Sequence, residues 1–215
     1  MHIPDGLLDP GTVVVTYVAA VAAIALSIAR VRRSVSEFEL SKLATVSGSI
    51  FIAQLIKWPI PGGSTLHFVG GGLAAATLGP WGGLIAMATV LAIQTFVFHD
   101  GGVTAFGANV IAAGASGVWL SYLALLALRR IGLAVPISAF SVGYISTVAT
   151  GFAAGLIIGV AGDVLGSSVY NLRITPHVML LTHGLLGLLE GVITMGIVAY
   201  LYRKQPTLLY EGARA

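Results

Sequence analysis

The sequence predicts an all-α protein, a polytopic membrane helix bundle with seven transmembrane helices, the N-terminus outside and the C-terminus inside. Three observations lead there. Hydrophobic residues make up 57% of the chain and charged residues 9%, against roughly 25% charged in a soluble domain. The apolar residues gather into stretches close to the ~20 residues that a spanning helix needs. The basic residues fall on alternate connections, as the positive-inside rule requires.

Taken in order, the first stretch covers about residues 10–30. Asp5 and Asp9 precede it with no basic residue, the reverse of a signal-peptide flank, and Arg30, Arg32 and Arg33 follow it. It reads as a retained helix, with Met1 as the mature first residue. The second stretch, about 40–58, carries Ala44 and Gly48, a small-residue pair through which a neighbouring helix can dock. Residues 66–98 are apolar but broken by Gly79-Pro80-Trp81-Gly82-Gly83. The proline removes a helix donor and the glycines loosen the backbone, so two shorter helices are expected near 66–78 and 82–98. Stretches near 103–129, 136–162 and 177–202 complete the seven, all within one integral membrane domain spanning 1–215.

Charge placement tests this count. An odd number of spans puts the termini on opposite faces. With the N-terminus outside, Arg30, Arg32, Arg33, Lys42, Arg129, Arg130, Arg203, Lys204 and Arg214 fall inside, and only Lys57 and Arg173 fall outside. Six spans would break the alternation in the second half. The outer face then collects Met1, His2, Asp5, His67, His99, Asp100, Asp163 and His177, with His183 just inside the last helix. A face of imidazoles and carboxylates opposite a basic face suits capture of a cation.

Other chemistries are excluded. The chain has no cysteine, so disulfides, thiolate zinc sites and iron–sulfur clusters are ruled out. The net charge of +3 is spread over segment ends without aromatic interleaving, which is no nucleic-acid signature. Hydrolase elbows, His-Glu-x-x-His and nucleotide loops are all missing from the sequence. Uphill transport would therefore need energy from another subunit or from an ion gradient.

The chain begins Met1-His2-Ile3-Pro4-Asp5-Gly6. A free amine next to histidine is a chelator. The Met1 amine, the His2 amide nitrogen and the His2 Nδ1 close two fused rings around one ion in a plane, a geometry that favours Ni(II) or Cu(II) over Zn(II), Mg(II) or Ca(II). The loop Pro59-Ile60-Pro61-Gly62-Gly63-Ser64-Thr65-Leu66-His67 places His67 at the outer end of the third helix, where its ring could be a fourth nitrogen or a packing residue. Ser64 and Thr65 are expected to cap that helix. In Phe98-His99-Asp100-Gly101-Gly102, the glycines make a tight turn, and Asp100 either orients an imidazole or caps the fifth helix. Gln94 and Asn109 are amides near the outer surface that are expected to brace loops. His183, Gly187, Glu190 and Thr194 share one face of the last helix, and Glu190 is read equally as an internal lock or as a functional group. Gly143, Thr147, Gly151, Gly155 and Gly159 recur every four residues, with Gly184, Gly187 and Gly191 on the next helix. Such stripes let helices approach closely, for internal packing or for a partner.

Together, the N-terminal hexapeptide, the Pro-Gly-Gly-Ser-x-x-His run ending at His67, Gly79-Pro80-Trp81, Phe98-x-Asp100-Gly101-Gly102 with Gly107-x-Asn109, and His183-Gly184-x-x-Gly187-x-x-Glu190-Gly191 are similar to one family. The chain resembles the nickel/cobalt substrate-binding subunits of energy-coupling-factor ABC transporters, the CbiM/NikM family, over nearly its whole length. The resemblance implies a six-helix core, about 40–202, plus the added N-terminal helix at about 10–30. It implies Met1, His2 and His67 as metal ligands beneath an inserted N-terminus. It also implies a membrane coupling subunit, two cytoplasmic ATPases and often a small accessory membrane protein as partners, and residence in the cell (inner) membrane. His99 stands where the family turn is expected to have glycine, leaving a weak entry ligand or a pH-sensitive contact open. Ni(II), with Co(II) as the alternative, is the expected transported substrate, with no organic cofactor. The alternative to an uptake subunit is a proton-coupled carrier or membrane enzyme using His183 and Glu190.

Overall fold

The computed structural model describes residues 2–32, 35–60 and 64–211, with the backbone alone at 58–60 and 64–66. Asp9 starts the first helix, its carboxylate accepting the N–H groups of Gly11 (2.9 Å) and Thr12 (3.1 Å). Pro10 takes the first helical position, where its missing N–H is harmless. Helix α1 (Pro10–Val31) turns Ala20, Ala23 and Ser27 inward and leaves Val14, Val15, Val18 and Val21 61–67% exposed. A face this apolar is stable only against lipid.

Ser36 caps α2 (Glu37–Gln54), accepting the Glu39 N–H at 3.2 Å. Strands β1 (Lys57–Ile60) and β2 (Ser64–His67) then form an antiparallel hairpin with Lys57 opposite His67. The expected capping role of Ser64 and Thr65 does not arise, because both lie in β2 and Gly70 occupies the N-cap position of α3 (Gly71–Phe96). The Gly70 φ of 87° is one that glycine tolerates.

The expected break at Gly79-Pro80 is real. Gly79 has φ 71° and ψ −171° inside α3. A Cβ on Gly83 would lie 3.2 Å from the Ala74 carbonyl, whereas nine residues along a straight helix span about 13.5 Å. The chain therefore doubles back, forming two helical arms. Pro80 cannot donate to the Ala76 carbonyl, and the Tyr210 N–H fills that vacancy at 2.9 Å. The tail carrying Tyr210 follows a short 3-10 turn at Pro206–Leu208 and buries Leu209 completely.

Helix α4 (Phe106–Asn109), a π-helical stretch at Val110–Ser116 and α5 (Gly117–Arg130) form one rod. Helices α6 (Val135–Val164) and α7 (Thr175–Lys204) pack along their small residues: a Cβ on Gly143, Gly151 or Gly155 would collide with Thr194, His183 or Pro176. On α6 this stripe serves internal packing. The Gly48 side of α2, by contrast, has open space. Among the described residues, five helices are long and apolar enough to cross a membrane, and the molecule is a helical membrane bundle. His2, Asp5, His67 and Asp100 gather at one end. Arg30 lies over Trp81 near Tyr210 at the other.

Candidate metal centre

The N-terminal segment is clipped into the bundle by hydrogen bonds along its length. Asn109 holds Ile3 on both sides: the Ile3 N–H donates to its Oδ1 at 2.8 Å, and its Nδ2 donates to the Ile3 carbonyl at 3.1 Å. The same carbonyl accepts from the Gly102 N–H at 3.0 Å. Asp5 accepts the N–H groups of Val103 (3.1 Å) and Thr104 (2.7 Å) and the Thr104 hydroxyl, and these bonds hold its carboxyl below the usual range. Gly102 lies so close to the Pro4 and Asp5 backbone that no side chain fits there. Ile3 is 3% exposed and packs on Ala105, Ala108, Ala154 and Ile158.

This anchoring lays His2 against His67. Their rings stack with centroids 4.9 Å apart and 29° between planes. His67 Nδ1 donates to the Phe68 carbonyl at 2.7 Å, which fixes the tautomer and leaves Nε2 with its lone pair. Burial pushes this imidazole below its ordinary pKa, so it stays neutral near pH 7. His67 Nε2 and both ring nitrogens of His2 are buried without a hydrogen-bond partner. Such orphaned buried atoms are rare in folded proteins.

Asp100 lies 3.6 Å from His2 Nδ1 and 3.0 Å from Lys57 Nζ. The His2 imidazole, then Lys57, hold its carboxyl well below the usual carboxylate range. The alternative of capping the fifth helix fails, since α4 begins only at Phe106 and Asp5 serves the N–H groups that precede it. A carboxylate from the far end of the chain outcompetes the neighbour.

The other expected residues are dispersed. Gln94 is fully buried with both amide atoms unpartnered, and it does not line the cavity beside His2 and His67. His99 adopts φ 54° and faces outward, because a left-handed turn there aims its side chain away from Asp100. His183 lines the same cavity as His2 and His67. Glu190 is fully buried, with one oxygen accepting from Val69 N–H and the other from Gly70 N–H, both at 2.8 Å. It clamps the backbone just beyond His67 at the start of α3, where the helix dipole favours a negative charge. Met1 lies outside the described residues, as does the side chain of Ser64. Among the described residues, no three His, Cys, Asp or Glu side chains converge on one point.

Sequence reasoning did not single out Asp5 as a clamp or Gln54 as a brace, although Gln54 Nε2 donates to the Val69 carbonyl at 2.6 Å. Their partners are distant in sequence. An amide inside an apolar stretch was the one available signal for Gln54.

The chain matches the family model described as "Cobalt uptake substrate-specific transmembrane region" over residues 2–208. It is 41% identical over 213 residues to an Archaeoglobus fulgidus protein described as a fused nickel transport protein, NikMN, covering 99% of this chain and 69% of that one. It is 31% identical to a cobalt transport protein, CbiM, of Sorangium cellulosum, covering 97% and 94%. A crystal structure of a truncated transition metal transporter superposes with a TM-score of 0.88 at 30% identity, covering 94% of this chain and 99% of that one. With its clipped N-terminal segment and multi-pass helical bundle, the chain belongs to the cobalt uptake substrate-specific transmembrane family, the CbiM/NikM proteins of metal transport.

Proposed function

We propose that the chain captures Ni(II), with Co(II) as the lesser substrate, at the outer face of the cell membrane for an energy-coupling-factor transporter. The ion is held by the Met1 amine, the His2 amide nitrogen and imidazole, and the His67 imidazole. The observation that carries this reading is the pair of buried imidazoles, 4.9 Å apart, in which both ring nitrogens of His2 and Nε2 of His67 lack hydrogen-bond partners. His67 enters with Nε2 free, since Nδ1 is committed to Phe68. Chelation uses His2 Nδ1 and leaves Nε2–H as the ring's donor. Deprotonating an amide is rewarded by metals that accept planar nitrogen, which supports Ni(II). Names of similar proteins in metal transport support the cargo class.

Seven crossings result when α2 is added to the five long apolar helices and the fold-back at Gly79 is counted as two arms. The basic helix ends then lie inside by the positive-inside rule. ATP hydrolysis belongs to two partner ATPases acting through a membrane coupling subunit, with a small accessory protein where present. Glu190 has both oxygens committed to backbone N–H groups, which leaves a proton-coupled carrier or enzyme without a free intramembrane carboxylate.

The test is purified protein with an authentic Met1 compared with protein extended by one residue. The authentic form binds one Ni(II) as a yellow, diamagnetic complex, and the extended form does not. Equal binding by the extended form would overturn the chelate.

A further inference from the structure

Beneath the His2–His67 pair lies a cavity of about 340 Å³. Ile3, Pro4 and Leu7 of the clipped segment roof it, and Thr150 of α6 and His183 of α7 line its inner end. From Thr175, also on its wall, to His183 the cavity follows α7 for about 12 Å at 1.5 Å per residue. The π-helical stretch contributes Ala112 and Ala113, small residues that keep the space open. π-helical turns recur at functional sites.

The cavity is not simply apolar. The Gln54 Oε1 and Thr150 Oγ1 atoms are buried without partners, and their residues are 2% and 6% exposed. His183 is 1% exposed. Its Nδ1 donates to the Met179 carbonyl at 2.8 Å, which leaves Nε2 as a lone-pair donor for a metal. The ring is seated against Gly151, where any side chain would collide with it. The Gln54 Oε1 and Thr150 Oγ1 atoms accept no hydrogen bond within the bundle, and the proposed chelate uses neither of them nor His183 Nε2.

We propose that this cavity is a second, weaker station for the same divalent transition metal, with His183 Nε2 as its principal ligand and the Gln54 and Thr150 oxygens alongside. The inference rests on the N-terminal chelate as the first station. Imidazole suits Ni(II) and Co(II), whereas amide and hydroxyl oxygens bind them less strongly. Every donor is neutral, because the nearest carboxylate on this helix face, Glu190, is bound to Val69 and Gly70. A neutral, mixed site holds the ion loosely. That is what a relay needs: an imidazole that accepts the ion as the four-nitrogen chelate opens, then releases it.

The test is equilibrium dialysis of the full chain in detergent against radiolabelled Ni(II). Met1 is native, and the exposed His99 and His177 are replaced by Ala to remove surface binding. One tight and one weak ion are expected. His183→Leu abolishes the weak ion and keeps the tight one. Thr150→Val, which preserves shape, weakens the weak ion on the order of tenfold. His67→Ala removes the tight ion and keeps the weak one. A single ion at saturating Ni(II), or a weak ion unchanged in both His183→Leu and Thr150→Val, overturns the second station. Failure of the first station reads out separately, as a tight ion that survives His67→Ala.

Discussion

Replacing Gly102 with alanine should displace the N-terminal segment while sparing the bundle. The new Cβ would sit 2.6 Å from the Pro4 carbonyl carbon and 2.8 Å from Asp5 Oδ1. Carbon atoms pack no closer than about 3.5 Å, so relief requires a shift of roughly 1 Å. The Pro4 carbonyl carbon and the Asp5 nitrogen beside it are backbone and cannot rotate away. Three hydrogen bonds depend on that register: Gly102 N–H to the Ile3 carbonyl at 3.0 Å, and Val103 and Thr104 N–H to Asp5 at 3.1 and 2.7 Å. A shift of about 1 Å takes all three beyond hydrogen-bonding reach. One neutral bond at about 1 kcal/mol and two charge-assisted bonds at about 1.5 kcal/mol or more set the cost near 4 kcal/mol. Part of it is recovered when the metal-free segment undocks. Ni(II) affinity should therefore fall by on the order of 10- to 100-fold, each 1.4 kcal/mol being tenfold. The assay is competition with a chromogenic chelator, with Gly196→Ala as control, since Gly196, like Gly102, has no positive φ but has open space around it. Unchanged affinity in Gly102→Ala would refute the claim that metal capture needs the docked segment.

Three further outcomes are expected. Glu190→Gln replaces one acceptor with an NH2 group facing a backbone N–H, so thermal unfolding in detergent should register a loss of about 1–3 kcal/mol; an unchanged melting temperature would show that the Val69–Gly70 clamp is dispensable. Leu209→Ala empties a completely buried position in the tail, and should cost on the order of 2–4 kcal/mol by denaturant titration. For Asp100, the folded-state value is depressed by His2 first and Lys57 second. Its pairing therefore stabilises above the ordinary carboxylate value of about 3.9 and is lost as pH falls through the depressed one. Lys57→Met should raise the Asp100 titration toward the ordinary range in carboxyl NMR, and His2→Ala should raise it further. A titration unmoved by either would remove the ion pair from the account.

How much was legible in the sequence varies by element. The apolar stretches marked every long helix within a few residues, because a lipid-facing helix must carry apolar side chains wherever it has no neighbour. The break at Gly79-Pro80 was legible because proline and a left-handed glycine carry their geometry with them. The hairpin at 57–67 was not anticipated, since its four-residue strands lack alternation and the first contains Pro59. Capping by Ser64 and Thr65 failed for the same reason: local oxygen chemistry suggested a helix start, but the chain stays extended through His67 and the helix begins at Gly71. His99 and Asp100 are adjacent yet diverge, one outward and one onto His2 and Lys57, because of a single positive φ.

By itself the sequence determined the environment of this protein and its list of donors. Too few charges leave a chain this apolar only lipid as a solvent, and the histidines stand at the same ends of their segments. Which donors meet was decided by tertiary structure alone. His2 reaches His67 because the short segment around it is held at both sides, Ile3 by Asn109 and Asp5 by the N–H groups of Val103 and Thr104. Glu190 steadies the far side of His67 from the last helix. Contacts between residues a hundred positions apart depend on how helices pack, and helix packing is set by shape complementarity summed over the bundle, which no local run of residues encodes.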